Sequence, residues 1–213
     1  MDLKKINWKI RCVIYDCDGV LFDSLEANTR LYNDLCAMAG RYPLREDEMQ
    51  YVHTHTVFEA LHFIFGKEND LEKKALEILK QKQVDLKNYV SYLKMEPHLL
   101  QALEKLKEKG ILRAINTNRT TSMKYIMERF NLWPYFEMMV TALDVKNPKP
   151  HRESVEKIIE AFQLKKEEAV FVGDSEVDQQ TAESSGVRFI AYKNKEIAKD
   201  LFIEDHLNIL NII

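Results

Sequence analysis

Apolar residues recur along this chain in two alternating rhythms. Cys12-Val13-Ile14-Tyr15, residues 111–115 and Ala169-Val170-Phe171-Val172 are short runs, nearly unbroken in apolar or β-favouring residues. Runs of that kind read as strands buried on both faces of a parallel sheet. Residues 138–143 and 187–192 read as two more strands. Between them, Leu99, Leu100, Leu103 and Leu106 fall at helical spacing, as do Met123, Ile126, Met127 and Phe130. So do Val155, Ile158, Ile159 and Phe162, and a further helix carries Val177, Thr181 and Ala182. Strand alternating with helix predicts an α/β fold, a doubly wound parallel sheet.

Residues 24–94 break this alternation. Leu31, Leu35 and Met38 mark a helix closed by Gly40, and residues 44–50 read as a short one. Val57, Leu61, Ile64 and Phe65 form another stripe, ended by Gly66. Leu71, Ala75, Ile78 and Leu79 begin a helix expected to run to about residue 93. No strand is visible, so a small helical unit is expected over 24–94, inserted into a core of residues 1–23 and 95–213. Pro97 marks the return to the core. The first ten residues are polar and mixed, and the chain from Ile197 on has no assigned role beyond packing.

Composition narrows the classes. The chain has 213 residues, 46% hydrophobic and 31% charged, which suits a globular protein. A net charge of −3 provides no basic footprint for nucleic acid. No apolar run is long enough to cross a bilayer, and no apolar stretch follows Lys4, Lys5 and Lys9 as in a signal peptide. Cys12, Cys17 and Cys36 suit neither a disulfide frame nor a zinc site, so a reduced, cytoplasmic compartment is expected. A monomer or homodimer is expected.

The polar residues at the strand ends carry the chemistry. The first strand runs into Asp16-Cys17-Asp18-Gly19, the second into Thr117-Asn118, the third into Gly173-Asp174-Ser175. In a parallel sheet these ends share one edge, where such folds bind ligands. Lys149, between Pro148 and Pro150, lies in a loop that can reach it. Each residue has a plainer reading: a solvated turn for Asp16 and Asp18, an N-cap for Thr117, a loop lysine for Lys149, a dipole partner for Asp178. The set outweighs them. Like charges about 4 Å apart repel by roughly 4 kcal/mol at a partly buried site. Asp16, Asp18, Asp174 and Asp178 therefore call for a counter-charge, and all-oxygen ligands suit Mg²⁺. With Lys149, and Thr117 and Asn118 before a helix, the site suits an anionic substrate such as phosphate.

The set resembles the phosphatase branch of the haloacid dehalogenase superfamily. Asp16-Cys17-Asp18-Gly19-Val20-Leu21-Phe22-Asp23-Ser24 is similar to its first motif, and Ile115-Asn116-Thr117-Asn118 to its second. Lys149-Pro150 is similar to the third, and Gly173-Asp174-Ser175-Glu176-Val177-Asp178 to the fourth. The resemblance spans about residues 11–192 and makes the helical insert similar to the family's small cap. It implies Asp16 as nucleophile, forming an aspartyl phosphate, and Asp18 as the group that protonates the leaving oxygen and later activates water. It implies Thr117 and Lys149 as phosphate ligands, beside Asn118, which is expected to bind phosphate from its place before a helix. It implies Mg²⁺ on Asp16, the Asp18 backbone carbonyl and Asp174, with Asp178 as ligand or neighbour. Asp18 argues against dehalogenation. Asn28 stands where β-phosphoglucomutases carry a histidine, and Gly173 where they carry an acid, which favours hydrolysis over mutase chemistry. A phosphosugar mutase and a non-catalytic binding protein are the alternatives.

The substrate is expected to be a small phosphorylated metabolite, phosphoglycolate-like, selected by the cap. Residues 52–56 are expected in a turn between two cap helices, with His53, His55 and Thr56 facing substrate; an incidental surface turn is the alternative. If these imidazoles read an anionic leaving group, His53→Ala and His55→Ala should shift the ranking of phosphate esters in a release assay. An unchanged ranking removes them from recognition.

Overall fold

The computed structural model describes residues 8–55, 57–81, 83–199 and 201–213, except the side chains of His53 and Thr54. The strands are β1 (Cys12–Tyr15), β2 (Phe22–Asp23), β3 (Lys94–Met95), β4 (Leu112–Asn116), β5 (Met138–Val140), β6 (Ala169–Gly173), β7 (Arg188–Tyr192) and β8 (Leu201–Ile203). Helices α1 (Leu25–Ala39), α2 (Glu46–Thr54), α3 (Val57–Phe65), α4 (Asp70–Lys80) and α5 (Lys87–Val90) lie between β2 and β3. Helices α6 (Leu99–Glu108), α7 (Ser122–Arg129), α8 (Glu153–Ala161) and α9 (Glu176–Ser185) alternate with the later strands.

The main sheet runs β5-β4-β1-β6-β7-β8, with every neighbouring pair parallel. Strand β1 is buried along its whole length, between β4 and β6. Its side chains alternate between two cores. Val13 and Tyr15 join the leucines of α6 and Met123 and Ile126 of α7. Cys12 and Ile14 join Val155 and Ile158 of α8 and Ala182 of α9. The chain builds outward from β1 in one direction through β4 and β5, then in the other through β6. That reversal opens a crevice at the carboxyl ends of β4, β1 and β6, where ligands bind in such sheets.

Helices α1 to α4 pack around a separate core that includes Tyr32, Leu35, Leu61, Phe65 and Ile78. The chain enters this unit through β2 and leaves through β3. The two pair antiparallel, Phe22 opposite Met95 and Asp23 opposite Lys94. Among the described residues, no helix is long and apolar enough to cross a membrane.

Several expected elements move. The short helix at 44–50 runs instead over Glu46–Thr54, so Val52 to Thr54 are helical. The buried Glu48 carboxylate starts it, accepting the Arg45 N–H at 2.8 Å and pairing with Arg41. The long helix expected to reach residue 93 stops at Lys80. Val84 turns into the helical unit's core, and Asp85 accepts the Lys87 N–H at 3.0 Å to start the short α5. Strand β5 ends at Val140 because the Asp144 carboxylate takes both the Thr141 N–H, at 2.8 Å, and its hydroxyl, at 2.6 Å. Strands β2, β3 and β8 are unforeseen: at two or three residues each they offer almost no periodicity to read.

The chain terminus reaches back to the first loop. His206 is fully buried, stacks on Tyr192 with centroids 4.4 Å apart, and donates from Nε2 to the Val20 carbonyl at 2.9 Å. Burial pushes this imidazole down to about 4, against an ordinary value of 6.5. As pH falls below 6.5, the unfolded chain takes up a proton that the folded one refuses until about 4. Stability is therefore present above 6.5 and lost across that window. The loss is on the order of 3 kcal/mol. Urea unfolding between these two pH values should show His206→Gln losing less on acidification than the parent; equal losses would contradict this.

Candidate active site

The site begins where β1 ends. The Asp16 N–H still donates to Val172 O at 3.0 Å, so this residue is held in the sheet's register. The chain then doubles back: Leu21 N–H reaches Cys17 O at 2.9 Å, and Gly19 N–H reaches Phe22 O at 2.8 Å. Gly19 has a φ of +72°, and a Cβ there would stand 1.9 Å from Asp174 Oδ2. Both backbone shape and space require glycine. Asp174 thus packs directly over the first loop.

Strand β6 delivers Asp174 and Asp178 by a related device. Ser175 caps α9: its Oγ accepts the Asp178 N–H at 3.2 Å and donates to Asp178 Oδ2 at 2.6 Å. A Cβ on Gly173 would lie 2.3 Å from Asp178 Cβ, so the space beside residue 173 is occupied by that aspartate. Asp178 does sit in the first turn of α9, as a dipole partner would, but its other oxygen points into the site.

Lys149 joins the two halves. Its Nζ lies 2.7 Å from Asp16 Oδ1 and 2.6 Å from Asp178 Oδ1, and all three residues are buried. Asn118 fixes it from the end of β4. The amide Nδ2 donates to Lys149 O at 3.1 Å, and Oδ1 accepts the Lys149 N–H at 3.1 Å. Asn118, expected to bind phosphate, here spends its side chain on the lysine's backbone. Thr117 is buried and lines the cavity, and its Oγ1 accepts the Arg119 N–H at 3.1 Å. It is not an N-cap, because α7 starts at Ser122.

The charges do not balance. Ligand oxygens of Asp16, Asp174 and Asp178 all lie within 4.8 Å of one another, facing the single ammonium of Lys149. Burial and the Asp178 charge raise Asp16 to about 7 against the pull of Lys149. Burial, then Asp178 and Asp16, push Asp174 well above the ordinary carboxylate range. Burial works against charge on Lys149, but Asp16 and Asp178 outweigh it, so it stays an ammonium. A cluster of hard oxygen donors with surplus negative charge fits a divalent cation, and Mg²⁺ among them. Asp18 stands apart from this trio. Its carboxylate takes two bonds from Arg119, Nη2 to Oδ1 at 2.6 Å and Nε to Oδ2 at 2.7 Å. Arg119 also donates to Asn28 Oδ1 at 3.2 Å. Sequence reasoning missed Arg119. A cation one residue beyond Thr117-Asn118, on an edge expected to bind anions, was the available signal.

The expected turn at 52–56 is not one, since α2 continues through Thr54 and Val52 is buried. His55 does line the cavity; its ring stacks on Tyr51 at 3.7 Å, and Nδ1 donates to Tyr51 O at 2.9 Å. Thr56 and the His53 side chain lie outside the described residues. The cavity, about 550 Å³, runs from the carboxylates to the facing sides of α1, α3 and α4.

Comparison with known proteins agrees with this fold. The family model described as haloacid dehalogenase-like hydrolase matches residues 13–192. A phosphoglycolate phosphatase of Aquifex aeolicus is 28% identical, over 84% of this chain and 83% of its own. A pyrophosphatase PpaX of Bacillus cereus is 26% identical, over 86% and 83%. A crystal structure of a HAD-superfamily hydrolase, subfamily IA, from Geobacter sulfurreducens superposes with a TM-score of 0.84. It is 37% identical, over 96% of this chain and 100% of that one.

The glycine beside Asp178 gives a direct test of the packing. Gly173→Ala should cost about 1–3 kcal/mol of stability by urea unfolding. It should also lower phosphate release from a phosphate ester, by displacing Asp178 from Lys149. Parent-like values of both would show that the close approach is unimportant.

Proposed function

We propose that this chain, which belongs to the haloacid dehalogenase-like hydrolases, hydrolyses the phosphate monoester of a small metabolite with Mg²⁺, through an aspartyl phosphate on Asp16. The observation that carries the reading is the Lys149 ammonium bonded to both Asp16 and Asp178, with Asp174 beside them. Phosphoryl transfer relies on positioning and charge neutralisation, and these residues provide both. The names of the relatives, phosphoglycolate phosphatase and pyrophosphatase, both denote cleavage at phosphorus.

In this reading residues 24–94 are a cap over a core of 1–23 and 95–213. An Asp16 carboxylate oxygen attacks phosphorus, and the ester P–O bond breaks. The leaving oxygen takes a proton from Asp18. Asp18, now a carboxylate, takes a proton from water as the water oxygen bonds to phosphorus. The bond from phosphorus to Asp16 then breaks, and inorganic phosphate leaves. Lys149 and the Thr117 hydroxyl hold the phosphoryl oxygens. Asp16, Asp174 and the Asp18 carbonyl would hold Mg²⁺, with Asp178 alongside. The ion supplies positive charge against the anionic phosphoryl oxygens. Arg119 pairs with the Asp18 carboxylate, the form required in the second half. For the first half Asp18 must separate from Arg119, and the oxyanions of a bound ester offer that guanidinium another partner.

Hydrolysis is favoured over phosphosugar mutase chemistry by two residues. Asp178 fills the space where a side chain at 173 would go. Asn28, in the position expected for a mutase histidine, is bonded to Arg119. Phosphoglycolate is one substrate of suitable reactivity, although the cavity wall argues for a longer one.

Asp16→Asn should abolish phosphate release with Mg²⁺ while its thermal unfolding stays cooperative. Asp18→Asn should lower turnover roughly 10²–10⁴-fold. Excess chelator should stop release and Mg²⁺ restore it. Substantial turnover by Asp16→Asn, or in chelator, would end the mechanism.

A further inference from the structure

The described residues that the helical unit contributes to the cavity are, apart from Asn28, His55 and Lys80, apolar or aromatic. Leu31, Val57, Phe58, Leu76 and Leu79 come from three helices and face the phosphate end of the site. Leu143 meets them from the loop after β5. Phe58 is 60% exposed and Leu143 63% exposed, unusually bare for side chains on a cavity wall.

A small dianionic or carboxylate leaving group has little to bind there. Of the cations lining the cavity, Lys149 is engaged by Asp16 and Asp178, and Arg119 by Asp18 or, once Asp18 leaves it, by the phosphoryl oxyanions. That leaves the exposed Lys80 on the helical side. A cavity of about 550 Å³ is also far larger than a two-carbon leaving group needs. Cavities of roughly 300–1,000 Å³ take ligands of drug size.

We infer that the substrate is a phosphate monoester of an extended, largely apolar alcohol, whose body lies against Phe58, Leu79 and Leu143. The inference rests on the phosphatase reading above and names its substrate class. The phosphate meets Lys149 and Thr117, and the apolar body covers the wall. Each added methylene that leaves water for that wall is worth about 0.8 kcal/mol. That converts to about fourfold in kcat/KM.

The test is phosphate release from n-alkyl phosphates, ethyl to octyl, beside phosphoglycolate and pyrophosphate, all with Mg²⁺. These alkyl esters share a leaving group of similar acidity, so reactivity is nearly constant and contact with the wall is the variable. The expected result is kcat/KM rising about fourfold per methylene until the wall is covered, with the longer esters ahead of phosphoglycolate and pyrophosphate. Phe58→Ala, at a mostly exposed position, should flatten that rise. A flat or falling series, or a tenfold preference for phosphoglycolate or pyrophosphate, overturns the inference. Calorimetric binding of the matching alkylphosphonates reads the wall without turnover. Affinity that climbs with chain length while no ester is hydrolysed would sink the phosphatase reading and keep the wall. Affinity that does not climb overturns the wall as well.

Discussion

One buried ammonium ties this protein's site together. Lys149 reaches Asp16 at the end of β1 and Asp178 in the first turn of α9, while Asn118, past the end of β4, grips its backbone. Parts of the chain more than a hundred residues apart thus converge on one charge. A buried cation without partners is costly, and so is each buried carboxylate. The arrangement holds because Lys149 is bonded to two of the three carboxylates, because Ser175 also bonds Asp178, and because glycines at 19 and 173 let the aspartates pack against the backbone without intervening side chains. Space and charge impose the same geometry.

The core was legible because strong signals coincide in it. Nearly unbroken apolar runs ending in Asp16, Thr117 and Asp174 announce parallel strands and their shared edge together, and those strands do pair in parallel, β4 with β1 and β1 with β6. Signals carried by few residues were not legible. Strand β8 is three residues long and recognisable only by its partner β7. The end of β5 depends on one carboxylate, Asp144, bonding back to Thr141. The division between α4 and α5 depends on where Val84 finds a core, which no local pattern states.

Within the site, residue types were readable but partnerships were not. Asp18 was expected among the acidic residues around an ion, yet its carboxylate faces Arg119, 101 residues later in the chain. Asn118 was expected on phosphate, yet it serves Lys149. Both follow from side-chain direction, which spacing along a loop leaves undetermined. The apolar cavity wall was still less accessible. Val57 and Leu79 look like ordinary stripe residues of amphipathic helices, and only the facing surfaces of two separate cores show that one side of each stripe borders a cavity.

The paired crossings β2 and β3 bear on how that cavity is entered. Both connections between the two cores are laced to each other through Phe22–Met95 and Asp23–Lys94. The two chain connections therefore act as a single strap instead of two independent tethers. A strap resists shear and twist but bends readily across its width, leaving one easy direction of travel. Admission of a ligand and its shielding from bulk water would then be opposite phases of the same stroke.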